Sequence, residues 1–182
     1  MGAARLEDLP HYTYEDYKLW DGEWELINGV AYAMAPAPVN KHQILNTKIA
    51  RELDEKLDEC PKCLAIIEAD WKIADDLVLR PDASLICYEP DDYLTKAPEI
   101  IFEIISPSTA KNDETLKFDI YEQEGVKYYI LVYPDTLFAK LYKLTDGKYI
   151  KVGDFDDESY TFDTKFCKIE FNFNNIFKRF RK

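Results

Sequence analysis

Ile100-Ile101-Phe102-Glu103-Ile104-Ile105, followed by Ser106-Pro107-Ser108-Thr109, is the stretch on which the fold of this chain turns. The apolar run predicts a buried strand. Glu103 sits in its middle, where a strand leaves no route to water. Burying a lone charge costs several kcal/mol, so such a carboxylate is normally paired, protonated or bound to a metal. Pro107 forces Ser106 into an extended conformation, and Ser108 or Thr109 can cap the first turn of a helix. The stretch therefore reads as strand, turn and helix start.

Upstream, Arg80-Pro81-Asp82-Ala83-Ser84-Leu85-Ile86-Cys87 reads as a second strand, with another carboxylate at its head. The two-residue period puts Asp82, Ser84 and Ile86 on one face. It does the same for Ile101, Glu103 and Ile105 in the other strand. If the two strands are neighbours, Asp82 and Glu103 converge. Downstream, Thr109, Asp113, Lys117 and Tyr121 recur at helical spacing and share one face, and Gly125 closes the helix. Lys117 lies about 12 Å down that helix at 1.5 Å per residue. Glu103 lies about 10 Å back along the strand at 3.3 Å per residue. A helix folded back on its strand sets the amine level with the acid. Val126 to Tyr133 is a further apolar strand, so the unit is strand-helix-strand with a parallel pair and a right-handed crossover.

Pro81-Asp82, Glu103 and a lysine resemble the PD-(D/E)XK nuclease superfamily. A longer pattern resembles the Uma-type restriction endonucleases within it. It comprises Glu25-Leu26-Ile27-Asn28-Gly29, His42, Pro98, Glu103 to Thr109, Asp113, Lys117, Tyr121 and Gly125-Val126, spread over residues 13 to 145. The short acidic motif is weakly specific and the long spaced pattern much more so. The resemblance implies an α/β fold: a restriction-endonuclease-like mixed β-sheet flanked by helices, with N-terminal and C-terminal β-hairpins. It also implies DNA as substrate, a Mg²⁺ or Mn²⁺ cofactor and a homodimer. Asp82, Glu103 and Lys117 would be catalytic. Metal ligands would be Asp82, Glu103 and the Ile104 backbone carbonyl. Glu25, His42, Asp113 and Tyr121 would be accessory. The chain departs from the pattern in two places. The lysine usual two residues after the second acid is Ile105 here, its role passing to Lys117. Tyr128, Ile130 and Tyr133 stand where the family often has Glu, Trp and Asp.

Plainer readings compete at several of these positions. Glu25 on an alternating strand can simply face solvent. A lone histidine such as His42 is more often structural than catalytic. Tyr121 reads slightly better as packing. Glu103 and Lys117 together can be a buried ion pair, which leaves Asp82 without a role. The competing function class is a nuclease-fold binding module that no longer cuts.

The chain has 182 residues, 47% of them hydrophobic, and reads as one domain behind a loose tail over residues 1–10. No run approaches the roughly 20 apolar residues of a membrane span. The tail has no apolar segment of the secretory kind, which points to the cytoplasm and to reduced thiols. Cys60-Pro61-Lys62-Cys63 is half of a zinc motif, but no second such pair follows, and structural zinc needs four ligands. Cys87 reads as a small core residue. The net charge of −12 argues against broad affinity for phosphates. Any contact would be local, and the basic run Lys178 to Lys182 is either that patch or a solvated tail.

In chain order, Thr13 caps a short helix ending near Trp20. Trp24 to Ile27 and Val30 to Met34 form a hairpin through Asn28-Gly29, ended by Pro36 to Pro38. Asn40 to Leu57 is a helix with a stripe of Ile44, Ile49, Leu53 and Leu57. Leu64 to Ile67, Trp71 to Ala74 and Leu77 to Leu79 are strands, the last two joined by Asp75-Asp76. Glu89 to Pro98 is an acidic loop anchored by Tyr93 and Leu94. Ala139 to Leu144 and Tyr149 to Val152 form a second hairpin, the candidate dimer edge. Asp154 to Glu158 is a charged loop, Lys168 to Phe171 an edge strand, and Asn174 to Phe180 a terminal helical turn.

Overall fold

The run Ile100–Ile104 is a central strand whose five residues are all buried. The computed structural model describes Arg5, residues 8–34 and residues 39–181. Most of the expected N-terminal tail, the Pro36–Pro38 segment and Lys182 lie outside the described residues. The elements begin with α1 (Tyr14–Tyr17), β1 (Trp24–Ile27), β2 (Val30–Ala33) and α2 (Asn40–Asp54). Then come β3 (Leu64–Ile67), β4 (Trp71–Ala74), β5 (Leu77–Leu79), β6 (Ala83–Ile86) and β7 (Ile100–Ile104). A π-helical segment, Asn112–Leu116, leads into α3 (Lys117–Gln123) and β8 (Tyr128–Tyr133). The chain closes with β9 (Phe138–Thr145), β10 (Lys148–Phe155), β11 (Ser159–Asp163), β12 (Lys168–Asn172) and α4 (Phe173–Phe177).

The main sheet has the order β10-β9-β8-β7-β6-β3. Its β7–β8 pair is parallel, as the intervening helix requires, and its other pairs are antiparallel. A second sheet, β2-β1-β5-β4, joins the N-terminal hairpin to β5 through the pairing of Leu26 with Val78. Alternation along β7 divides the interior. Ile100, Phe102 and Ile104 pack with Leu45, Ile49 and Leu53 of α2 and with Phe162, Phe171 and Phe173 of the C-terminal segment. Ile101 and Ile105 pack on the other side with Ile120 and Tyr121 of α3, and with Ile27, Trp71 and Leu79 of the small sheet. The mixed α/β arrangement of sheets flanked by helices is the one expected.

The N-terminal hairpin turns on Asn28 (φ +50°) and Gly29 (φ +75°), the positive pair that a two-residue hairpin demands. Other boundaries shift. Helix α2 ends at Asp54, and Leu45, rather than Ile44, is fully buried. Strand β8 begins at Tyr128. Strand β11 was not expected. It forms a separate two-stranded ribbon with β12 and has a single fully buried residue, Phe162, so its apolar signal is thin.

The cysteine expectation is corrected. None of the four is free: Cys60 bonds Cys167 and Cys63 bonds Cys87. Cys87 lies just beyond β6 rather than within a strand. The fold gathers residues up to 107 positions apart in sequence onto the loop after α2, which no local spacing could announce.

Candidate active site

Strands β6 and β7 pair antiparallel with Ala83 opposite Phe102. One residue further along, Asp82 stands opposite Glu103. The two ends are laced by two hydrogen bonds. The Ile104 N–H donates to Asp82 Oδ2 at 2.6 Å, and the Asp82 N–H donates to Glu103 Oε2 at 3.3 Å. Helix α2 supplies two further contacts to Asp82. Asn46 Nδ2 donates to its carbonyl at 3.1 Å, and His42 Nε2 lies 3.3 Å from its Oδ1.

After β7 the chain turns at Ser106, whose carbonyl accepts from the N–H groups of Thr109 and Ala110. The helix that follows is not a plain α-helix. It carries a π-helical segment over Asn112–Leu116, a local widening often found at functional sites. Asp113 and Lys117 still face one another across it. The Lys117 ammonium is 3.0 Å from Glu25 Oε1, 3.1 Å from Glu103 Oε1 and 3.1 Å from Asp113 Oδ1, and its side chain is only 5% exposed. Tyr121 completes the group, its hydroxyl donating to Glu103 Oε1 at 2.9 Å. Five of the seven expected side chains, Glu25, Glu103, Asp113, Lys117 and Tyr121, thus form a continuous set of direct contacts, Asp82 joins through its backbone N–H to Glu103, and His42 joins through Asp82. Glu25 faces inward rather than to solvent. It is 6% exposed and accepts from the Arg80 N–H at 2.9 Å.

Three carboxylates surround a single cation, so the electrostatics are unbalanced. Burial pushes the Glu103 carboxyl well above the usual carboxylate range, against the pull of Lys117. Burial alone would discharge Lys117. The surrounding Glu103, Glu25 and Asp113 outweigh it and hold the amine well above its ordinary value. Burial, with Glu103 adding to it, also raises the Tyr121 phenol, so that it stays a donor. Burial opposes charge on His42, but the bond to Asp82 prevails and its pKa is raised. A site with surplus carboxylate charge stores affinity for cations.

The cluster forms one wall of a cleft of about 760 Å³, whose rim includes Ser106, Ser108, Thr109 and Asn112. The donors fit a hard cation. Asp82 Oδ1, Asp82 Oδ2 and Glu103 Oε2 each face one partner and keep a second lone pair, whereas Glu103 Oε1 already accepts from both Lys117 and Tyr121. Mg²⁺ is commonly held by one or two carboxylates with waters filling the rest of its shell. Ile104 also lines the cleft.

A family profile described as "Putative restriction endonuclease", Uma2, matches residues 13–164. The chain belongs to the Uma2 family. No curated protein matches it. Among solved structures it is similar to a "putative nuclease belonging to DUF820" from Anabaena variabilis ATCC 29413. The TM-score is 0.71 at 16% identity, covering 91% of this chain and 97% of that one. That likeness concerns the fold. A partial match to a DrdV–DNA complex has a TM-score of 0.33 at 14% identity, over 63% of this chain and 12% of that one, too low to carry an argument.

For an Uma2 protein, the departures noted in β8 lie mostly away from the site. Tyr128 and Ile130 point into the core shared with α2, on the opposite face of the sheet. Tyr133 reaches Glu114 Oε1 at 2.6 Å. Three contributors escaped the sequence reading. Asn46 is 2% exposed in the apolar stripe of α2, one turn after His42, and that polar residue in the stripe was an available signal. Arg80 serves by its backbone, while its guanidinium bonds Asp70 at 2.7 Å. Tyr129 donates to the Asp113 carbonyl at 2.8 Å and so braces the π-helical segment. No local pattern marks these last two.

Proposed function

We propose that this Uma2 protein is a Mg²⁺-dependent (or Mn²⁺-dependent) endonuclease hydrolysing phosphodiester bonds in DNA, with Asp82, Glu103 and Lys117 at the reacting centre of one restriction-endonuclease-like domain. The observation that carries this reading is the buried Lys117 ammonium, 3.1 Å from Glu103 on the strand that pairs with Asp82, in the wall of an open cleft. Asp82, Glu103 and the Ile104 carbonyl would hold the ion. Bound there, it would lower the pKa of a water ligand and offset charge growing on the phosphate oxygens.

The protein's own groups would do the rest. Lys117 stays charged and presents a fixed cation toward the phosphate, the positioning and electrostatic work on which phosphoryl chemistry depends. Glu25 and Asp113 hold its amine from either side, and Tyr121 fixes the Glu103 rotamer. His42 orients Asp82 and can take up a proton near neutrality. The hydroxyls of Ser106, Ser108 and Thr109 offer donors to a phosphate at the rim.

Purified protein with Mg²⁺ or Mn²⁺ should nick supercoiled DNA. Asp82→Ala, Glu103→Ala and Lys117→Ala should each abolish nicking. Cutting that survives all three substitutions removes the site. A second reading, a nuclease-fold module that binds nucleic acid or protein without cutting, is favoured by the commitment of Lys117 to three acids and by the net charge of −12. Calorimetry separates the two. The enzyme should take up Mg²⁺ or Mn²⁺ in a manner dependent on Asp82 and Glu103, and the binding module should not. RNA and single strands are further substrates for the same assay. We also propose cytoplasmic residence and a homodimer through the edge strand β10, where Ile150 is 56% and Val152 42% exposed. No helix among the described residues is long and apolar enough to cross a membrane.

A further inference from the structure

All four cysteines lie at one place, and none of them belongs to the acid cluster. Cys60 and Cys63 come from the loop after α2, Cys87 from the end of β6, and Cys167 from the turn that leads into β12. Although Cys60 and Cys63 belong to different disulfides, the sulfurs of Cys60, Cys63 and Cys167 all lie within 4.8 Å of one another. The fourth sulfur, Cys87, is bonded to Cys63. Two independent disulfides have no need to touch. Four thiolates around one zinc ion do: at Zn–S of about 2.3 Å, a tetrahedron sets its sulfurs about 3.8 Å apart.

We propose that, when reduced, Cys60, Cys63, Cys87 and Cys167 form a tetrahedral zinc(II) site, and that the two disulfides are its oxidised, metal-free state. Local geometry supports this. Cys60-Pro61-Lys62-Cys63 is a tight turn, with the Cys63 N–H donating to the Cys60 carbonyl at 3.0 Å. It presents two sulfurs from one short loop, as zinc-binding pairs do. The Thr164 hydroxyl lies 3.4 Å from Cys167 Sγ, near enough to donate to a thiolate. Four thiolates and Zn²⁺ carry a net charge of −2, and Lys62 and Lys165 lie close to the cysteines in sequence. Their ammonium groups lie 4.9 and 5.3 Å from the ring centre of Phe166, the residue before Cys167.

The chemistry balances. A dithiol reductant delivers two electrons and two protons to each disulfide, giving four thiols and the oxidised reductant. Binding one Zn²⁺ then releases four protons. Oxidation reverses both steps and expels the ion. The site would clamp the end of α2, which carries His42 and Asn46 at its other end, to β6 and to the C-terminal ribbon.

The test uses the full chain, reduced and kept anaerobic, with zinc alone as probe. Native mass spectrometry should show one zinc per chain, and a thiol-modifying mercurial should release it. Cobalt(II) in its place should give the charge-transfer and ligand-field bands of a tetrahedral thiolate centre. Cys167→Ser and Cys87→Ser should each lose the equimolar zinc while far-ultraviolet circular dichroism stays that of the parent. Should either variant fail to fold, the cobalt spectrum of the parent still decides. A reduced parent with four titratable thiols that takes up no zinc, or cobalt bands lacking thiolate character, overturns the proposal. So would equimolar zinc that persists in both variants.

Discussion

Replacing Lys117 by methionine keeps most of the side-chain volume and removes the charge. The consequence can be worked from the distances. At an effective dielectric constant near 20, each carboxylate about 3 Å from the ammonium attracts it with roughly 5 kcal/mol before desolvation is subtracted. The net figure is far smaller, because all these groups have left water. Breaking a buried ion pair from one side typically costs about 3–5 kcal/mol, since the partner charges stay buried and uncompensated. That is the expected loss for Lys117→Met in metal-free buffer near neutrality. It corresponds to a fall of roughly 6–20 °C in melting temperature, at about 2–4 °C per kcal/mol for a chain of this size.

The loss should depend on pH, and the sign is fixed. Without the cation, the buried Glu103 carboxyl loses the pull that opposes its burial, so it holds its proton more tightly than it does unfolded. A group so raised favours the fold below its ordinary carboxylate range, and that favour disappears as pH rises through the raised value. The deficit of the variant should therefore shrink toward pH 5, by up to about 1.4 kcal/mol per pH unit as that carboxyl titrates. In the parent, the Lys117 contribution is full below the ordinary lysine pKa and is lost only in strong alkali. Urea denaturation of both proteins from pH 5 to pH 8 measures this. A deficit under about 1 kcal/mol at pH 8, flat across the range, would refute the claim that Lys117, Glu103, Glu25 and Asp113 form one electrostatic unit.

Two further outcomes are expected. His42 is raised by its bond to Asp82, so it stabilises the fold while protonated, and that contribution goes as pH rises through the raised value. Metal-free parent should thus lose stability on passing from pH 6 to pH 8, and His42→Ala should remove that part of the slope in urea titrations. Gly29→Ala places a side chain at φ +75° and a methyl that would overlap the His11 ring. The backbone part alone should cost about 1–2 kcal/mol in thermal denaturation, and His11→Ala in the same chain should recover only the steric remainder.

What could be read from residues and what could not divides along the range of the interactions. Glu103 in an apolar run, the helical spacing of Asp113, Lys117 and Tyr121, and Asn28-Gly29 are local signals, and each led to the element found. The reach estimated along strand and helix brought Lys117 level with Glu103 because one short turn joins them. The union of β1 with β5, the ribbon β11–β12 and the meeting of four cysteines depend on surfaces brought together only by folding. The π-helical segment was invisible for another reason. Asn112-Asp113-Glu114-Thr115-Leu116 carries weak helix formers but nothing that distinguishes a widened turn from a frayed one, and the Tyr129 hydroxyl braces the segment from outside.

The division of β7 between two cores has a consequence for how this chain can vary. Ile100, Phe102 and Ile104 face the aromatic side, and Glu103 faces Lys117. Inserting or deleting one residue inside the strand would rotate the carboxylate among Phe162 and Phe171, where no ammonium waits. It would also leave Lys117 with one acid fewer. Length changes should therefore accumulate in the acidic loop before β7 and in the hairpin beyond β8. Between Ile100 and Thr109 the spacing itself is what inheritance must keep.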